Sequence, residues 1–401
     1  MTTKYTFNTI FFEATRRCNM ACPMCMSSSN NPEVVKKSQP KELSTDEIEK
    51  HILAAAREIG IKVMTWSGGE FVVRDDALEL VKRATKYGYE SSICTNGLAM
   101  TEEKLKAFND AADGMLVIAV GINSIENENS WTRDGECDLA LKVLETCGRL
   151  KIKRHCVVNV GKHNLKTLPK TLSWLEKNGI PYNRSPFTKR GSGCGHFCDL
   201  GFTREELRDY IHPELRKHAN GYISYTPFFL SPELHEHFSK GHKNVTVPQS
   251  PSIGCFCGTW LAISAEGNVS PCGILLDELD AGNVRDKPLP KIVAESEIFQ
   301  NVLDRKRLKG KCGRCRYQYV CGGCRAMALF HTGDYMEADP TCFFEPKDPS
   351  EKSEHEDETN KMFKRYVFMV RHAGRNMVKE KGGAKGAERG AESGAQGARI
   401  E

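Results

Sequence analysis

No stretch of this 401-residue chain reaches the roughly 18 consecutive apolar residues that a membrane-crossing helix needs, so a helical span is excluded on length alone. Between Met1 and Cys18 there is neither an apolar leader core nor a small-residue cleavage site, so a secretory signal is not expected and the cytoplasm is the expected compartment. Hydrophobic residues are few at 39%, diluted by a polar, Gly-rich C-terminal end. Charge of one sign is also in short supply. Lys+Arg 57 against Asp+Glu 52 leaves +5, too little to imply nucleic acid or an anionic membrane as a partner. Cysteine, by contrast, is abundant. Seventeen thiols in a chain expected to stay in reducing surroundings point to metal rather than to disulfides.

The length allows two to three domains. Short β-rich runs alternate with amphipathic helical stretches over the first part, the signature of βα units on a parallel sheet. Strands are expected at Phe7 to Ala14, Lys62 to Trp66, Glu90 to Cys94, Met115 to Val120, His155 to Val160 and Pro181 to Phe187. Ser44 and Glu47 read as a capping box, with Ile48, Ile52, Ala55 and Ile59 on one face and Gly60 as the stop. Six units suit a partial (βα)6 TIM-like barrel rather than the closed eight. The expected division is residues 1–190 for the barrel, 191–250 for a bridge with short helices and 251–346 for a Cys-rich iron–sulfur domain. A charged helical extension over 347–381 and a disordered tail over 382–401 complete it.

The residues with chemistry gather at C-terminal strand ends, the edge on which sites in parallel α/β proteins are built. Cys18-x3-Cys22-x2-Cys25 follows the first strand. Three thiolates on one short loop can hold three irons of a four-iron cluster and leave the fourth open. The alternatives are a zinc site short of one protein ligand and three buried free thiols. Gly68-Gly69-Glu70 follows the second strand.

Together these motifs resemble the radical S-adenosylmethionine (AdoMet) superfamily over about residues 7–190. The resemblance implies that an open iron binds the methionine part of AdoMet and that one electron cleaves it. The product is a 5′-deoxyadenosyl radical that abstracts a substrate hydrogen. It implies that Gly68 and Gly69 let the backbone approach the ligand and that Glu70 accepts from its ammonium. Thr95 and Asn96 would lie near the ribose or adenine, and Asn123 and Arg133 near the ribose and carboxylate. An external one-electron donor such as flavodoxin or ferredoxin is implied too. The chain departs from the family pattern at Met24, where an aromatic is usual, at Gly121, where serine is frequent, and at Phe71, where proline usually stands.

Eight further cysteines fall between Cys255 and Cys342. Cys257 is followed by nine residues, Gly267, four more and Cys272, and later come Cys312-x2-Cys315-x5-Cys321-x2-Cys324 and Cys342. Eight thiolates match the need of two fully ligated four-iron clusters. One zinc ion on the Cys312-to-Cys324 run is the alternative, and it would strand the other four cysteines. The spacing is similar to the SPASM domain, which binds twin auxiliary clusters. That resemblance implies that Cys255, Cys257, Cys272 and Cys324 hold one cluster and Cys312, Cys315, Cys321 and Cys342 the other. Cys147 and Cys156 read as core, and Cys194 and Cys198, flanking His196, as a Gly-rich loop at the site mouth.

Three readings of the activity compete. Modification of a peptide or protein side chain is the commonest use of the SPASM architecture and is favoured on that ground. Two features weigh against it: the first cluster begins at Cys18, leaving no room for an N-terminal peptide-recognition domain, and Gly273 stands where sulfatase maturases tend to carry aspartate. A tetrapyrrole is the second reading, because the runs from Cys321 to Ala326 and Thr332 to Cys342 resemble haem-pathway members. A non-catalytic electron carrier is the third, and it has no use for an open iron. Arg184, Lys189 and Arg190 after the sixth strand could receive substrate carboxylates, the alternative being plain solvated charge. No catalytic acid or base is indicated.

Overall fold

The structure is a computed structural model that describes residues 7–126, 128–133, 137–218, 221–223, 255, 257, 260–315, 318 and 321–346. Residues 219–220 and 224–250 of the expected bridge and both C-terminal segments, 347–381 and 382–401, lie outside the described residues.

Six strands, β1 (Thr9–Glu13), β2 (Val63–Ser67), β3 (Glu90–Thr95), β4 (Leu116–Gly121), β5 (Lys153–Val160) and β6 (Tyr182–Pro186), lie side by side in chain order, all parallel. Each agrees with its expected position to within two residues. Two short parallel strands extend the edges: β7 (Gly221–Ile223) on β6, and β8 (Trp260–Ile263) on β1, with β9 (Val269–Ser270) antiparallel to β8. Eight parallel strands thus form a curled half-barrel. The sequence did not foretell β8, four residues inside the cysteine-rich stretch.

Local chemistry explains the crossovers. Ser44 and Glu47 exchange their capping bonds, 3.3 Å from the Glu47 amide to Ser44 Oγ and 2.9 Å from the Ser44 amide to Glu47 Oε2. The helical run over residues 45–59 that follows buries Ile48, Ile52, Leu53, Ala56 and Ile59 and stops at Gly60, φ 85°. Helices Ala77–Lys86, Glu102–Ala111, Cys137–Arg149 and Leu168–Lys177 return the chain after β2 to β5. Trp66, wholly buried, stacks on Phe71 at 5.0 Å and donates its indole N–H to Ser91 Oγ. One apolar cluster runs from β1 into the cysteine-rich region, where Phe7 meets Phe299 edge-on at 5.7 Å. Among the described residues no helix is long and apolar enough to cross a membrane.

Candidate active site

Parallel pairing continues beyond the ends of β1 and β2. The Ala14 amide donates to the Ser67 carbonyl at 3.0 Å, Gly69 to Thr15 at 2.7 Å and Glu70 to Arg17 at 2.8 Å. A Cβ on Gly68 would run into the Thr15 carbonyl and one on Gly69 into that of Arg17. These glycines therefore make room for the chain leading to Cys18, where the sequence suggested room for a ligand.

That close approach delivers Glu70 to the loop. Its carboxylate is 1% exposed; Oε2 accepts from the Asn96 amide at 2.8 Å, and Oε1 is buried without a hydrogen-bond partner. Burial pushes its pKa up to about 7, against the pull of the Asn96 amide, the Thr95 hydroxyl and the Arg133 charge. Asn96 turns its side-chain amide to the cysteine loop, donating to Asn19 Oδ1 at 2.8 Å and lying 3.8 Å from Cys18 Sγ. Thr95 is buried, with its hydroxyl accepting from the Gly97 amide.

The β4 exit supplies Asn123, buried and donating to Thr132 Oγ1 at 3.0 Å. Arg133 comes to the same place. Its guanidinium lies over Gly121, and its carbonyl accepts from the Cys22 thiol at 3.1 Å. Cys18, Cys22 and Cys25 are half-buried, and burial pushes the Cys18 thiol up to about 11, helped by the charges of Glu70, Cys25 and Cys22. A bound cation reverses that preference for the neutral thiol.

The loop rests on the chain after β6. The Ser192 amide donates to the Cys25 carbonyl at 3.0 Å, and Gly191, φ 58°, packs where a Cβ would strike Met26. Beneath it, fully buried Arg190 donates to Glu13 at 2.8 Å and to Asp277 at 2.9 Å, while Asp277 also pairs with Arg16. The expectation that Arg184, Lys189 and Arg190 receive substrate carboxylates is corrected for two of the three. Arg184, also fully buried, donates to the carbonyls of Leu215 and His218. A cation sealed among acceptors has no face to offer a ligand. Lys189 alone of the three is half-buried.

The later cysteines fall into two groups. Cys257 shares thiol hydrogen bonds with Cys255 and Cys272, and the Cys324 thiol is pushed up by burial and by the nearby sulfurs of Cys255 and Cys272. Cys312, Cys315, Cys321 and Cys342 line one open cavity together with Gly322 and Gly323. Buried Arg305 and Arg325 bring positive charge to Cys255. Asp339, wholly buried, accepts from the Cys324 amide at 2.7 Å, and its own amide faces Cys312 Sγ at 3.5 Å. Sequence reasoning missed Glu13, Asp277, Arg325 and Asp339. A charged residue closing an apolar strand, as Glu13 does, was the available signal.

Of the other cysteines, Cys147 and Cys156 are core, as expected. Burial raises the Cys94 thiol to about 12, and Cys137 donates to the Ser124 carbonyl. Cys194 and Cys198 are exposed.

Residues 12–175 match the model of the radical SAM superfamily, and residues 255–316 match SPASM, an iron–sulfur cluster-binding domain. The chain is a radical SAM enzyme with a SPASM domain. Such an enzyme works with AdoMet and a [4Fe-4S] cluster, and SPASM adds auxiliary iron–sulfur clusters. The radical SAM/SPASM chain is 29% identical over 349 residues to the AdoMet-dependent heme synthase of Methanosarcina barkeri, covering 84% of this chain and 96% of that one. It is 28% identical over 354 residues to the AdoMet-dependent heme synthase of Nitratidesulfovibrio vulgaris, covering 84% and 92%. Among solved structures, Streptococcus suis SuiB bound to precursor peptide SuiA superposes with a TM-score of 0.64 at 15% identity, covering 84% of this chain and 76% of that one. That likeness is one of fold.

Proposed function

We propose that this radical SAM/SPASM enzyme modifies a side chain of a tetrapyrrole. The observation that carries the reading is the likeness to heme synthases along 84% of the chain, spanning 96% of the Methanosarcina enzyme. The runs from Cys321 to Ala326 and from Thr332 to Cys342, which resemble haem-pathway members, point the same way. Peptide modification is the second reading, supported by the fold shared with SuiB, whose structure holds its precursor peptide.

Cys18, Cys22 and Cys25 are assigned to the radical cluster. Cys255, Cys257, Cys272 and Cys324 are assigned to one auxiliary cluster, and Cys312, Cys315, Cys321 and Cys342 to the other. The grouping of the thiols supports this, as does the cavity that the last four share. AdoMet on the open iron supplies the chemistry, its reductive cleavage being coupled to abstraction of a substrate hydrogen. Glu70 Oε1, a buried acceptor without a partner, suits the ammonium of AdoMet, and the Arg133 guanidinium suits its carboxylate. Asn96 and Thr95 at the β3 end and Asn123 at the β4 end are assigned to the ribose and adenine. The electron comes from an external one-electron carrier such as flavodoxin or ferredoxin. The assigned division remains 1–190 for the barrel, 191–250 for the bridge and 251–346 for the SPASM region, with the cytoplasm as the compartment.

The test is anaerobic turnover of the reconstituted enzyme against porphyrins deuterated on their side chains and against peptides encoded beside the gene. Deuterium appearing in 5′-deoxyadenosine from a porphyrin supports the tetrapyrrole. Loss of two hydrogens from a peptide, with no label transferred from any porphyrin, overturns it in favour of the second reading.

A further inference from the structure

Five rings follow one another across the C-terminal edge of the sheet. Trp131 meets His163 edge-on at 6.2 Å, and His163 meets Phe187 at 6.2 Å. Phe187 meets Phe197 at 6.3 Å, and Phe197 meets His331 at 5.6 Å. Trp131 comes from the segment after β4, His163 from the turn after β5 and Phe187 from the residue after β6, while His331 sits on the helix Arg325–Thr332 that begins beside Cys324. The row therefore runs from the half-barrel to the SPASM region.

Packing accounts for the middle of the row, where Phe187 is buried at 4% exposure, but not for its ends: Trp131 is 49% exposed and His331 is exposed. Rings left open at the ends of such a row mark a surface that something else covers. The row also passes beside the first cysteine loop. Trp131 lies two residues before Arg133, whose carbonyl meets the Cys22 thiol, and a Cβ on Gly193 would be 3.7 Å from Phe187 and 3.6 Å from the Met24 carbonyl. A substrate whose hydrogen is abstracted has to lie next to that loop.

We propose that this aromatic row is the seat of the substrate macrocycle, and that Lys189 holds one of its carboxylates. The proposal rests on the tetrapyrrole reading. Ring faces and edges complement a planar macrocycle and offer none of the backbone donors and acceptors by which an extended peptide is held. Lys189 makes no ion pair among the described residues, and its charge reaches His331, whose pKa is lowered by burial and then by that charge. With Arg184 and Arg190 sealed in the interior, Lys189 is the cation of its group that can meet a propionate.

The experiment titrates metal-free coproporphyrin III, and separately its tetramethyl ester, into the anaerobically reconstituted holoenzyme, following the Soret band. It uses the wild type, Trp131→Leu, Phe197→Leu and Lys189→Gln, each checked for iron content. The expected result is binding by the wild type and about tenfold weaker binding by Trp131→Leu and by Phe197→Leu. Lys189→Gln should weaken the free acid but not the ester, a comparison that needs no altered ring. If the wild type binds and all three variants bind within about twofold of it, the seat lies elsewhere while the tetrapyrrole reading stands. If the wild type shifts no porphyrin spectrum, the reading and the seat fall together.

Discussion

The guanidinium of Arg133 occupies the space that a side chain at Gly121 would need: a Cβ there would lie 2.7 Å from both Nη atoms. This couples a departure from the family pattern to a residue at the site, because serine at 121 and Arg133 in its present pose exclude each other. Gly121→Ser should displace the guanidinium and weaken AdoMet binding about tenfold with iron content unchanged. Anaerobic equilibrium dialysis measures it. Unaltered affinity would remove Arg133 from the cofactor.

Glu70 gives AdoMet binding a pH dependence whose sign can be worked out. Burial raises its pKa to about 7, so below that pH the carboxyl is protonated before the ligand arrives. An ammonium prefers the carboxylate, so binding there must release a proton, and affinity should fall as pH drops below 7, at most about tenfold per unit. Above 7 this contribution is constant. Glu70→Gln should bind more weakly and with a flatter profile between pH 6 and 8; a slope identical to that of the wild type would assign the titration to another group.

Much of this was legible in the chain because the relevant signals are local. Six strands and the capped helix of residues 45–59 announce themselves by burial period, a capping box and a glycine stop. The Cys18-to-Cys25 loop stands out by its spacing, whereas the division of the eight later cysteines into two sets came from the SPASM resemblance. What stayed hidden depends on contacts distant in sequence. Arg190 looks like any loop cation until Glu13, 177 residues earlier, is seen beneath it. The four residues of β8 carry no period of their own, and only pairing with β1 makes them a strand. Gly68 and Gly69 were marked as places where the backbone approaches a ligand, but the sequence could not say that the Thr15 to Arg17 backbone fills that space.

The Arg190–Glu13 pair is fully buried, with Asp277 as a further partner of the arginine. Removing one side leaves an uncompensated charge in the interior, a loss of about 3–5 kcal/mol. Arg190→Met should therefore lower the thermal midpoint sharply and loosen the Cys25 loop that rests on residues 191 and 192. Arg208→Met, at an exposed pair with Asp209, should leave the midpoint where it is. Equal effects in anaerobic thermal scans would contradict the burial argument.

The cysteine assignments fix a stoichiometry. Anaerobic reconstitution should give about twelve irons and as many sulfides per chain, and replacing Cys18, Cys22 and Cys25 by alanine should leave about eight. The altered protein should lose reductive cleavage of AdoMet. About four irons in the wild type, or bound zinc, would mean that the SPASM cysteines hold something else.

Arg325 leads to the last prediction. It is 2% exposed, and Nη1 donates to the carbonyls of Tyr335 at 2.9 Å and Glu337 at 2.8 Å. Nη2 is buried without a partner, and the absent side chain of Gly323 leaves the gap between it and Cys312: a Cβ there would lie 2.8 Å from Nη2 and 2.9 Å from Cys312 Sγ. Its charge acts on Cys255 and Cys324 of one assigned cluster and Cys312 of the other. An orphaned cationic donor at this place suits the anionic sulfur of the auxiliary clusters, and a nearby positive charge favours adding an electron. Arg325→Gln should therefore move auxiliary reduction to more negative potentials in a titration followed by electron paramagnetic resonance. Arg325→Lys, which keeps the charge, should shift it less. Potentials unchanged in both variants at full iron content would confine Arg325 to holding the Tyr335 and Glu337 carbonyls.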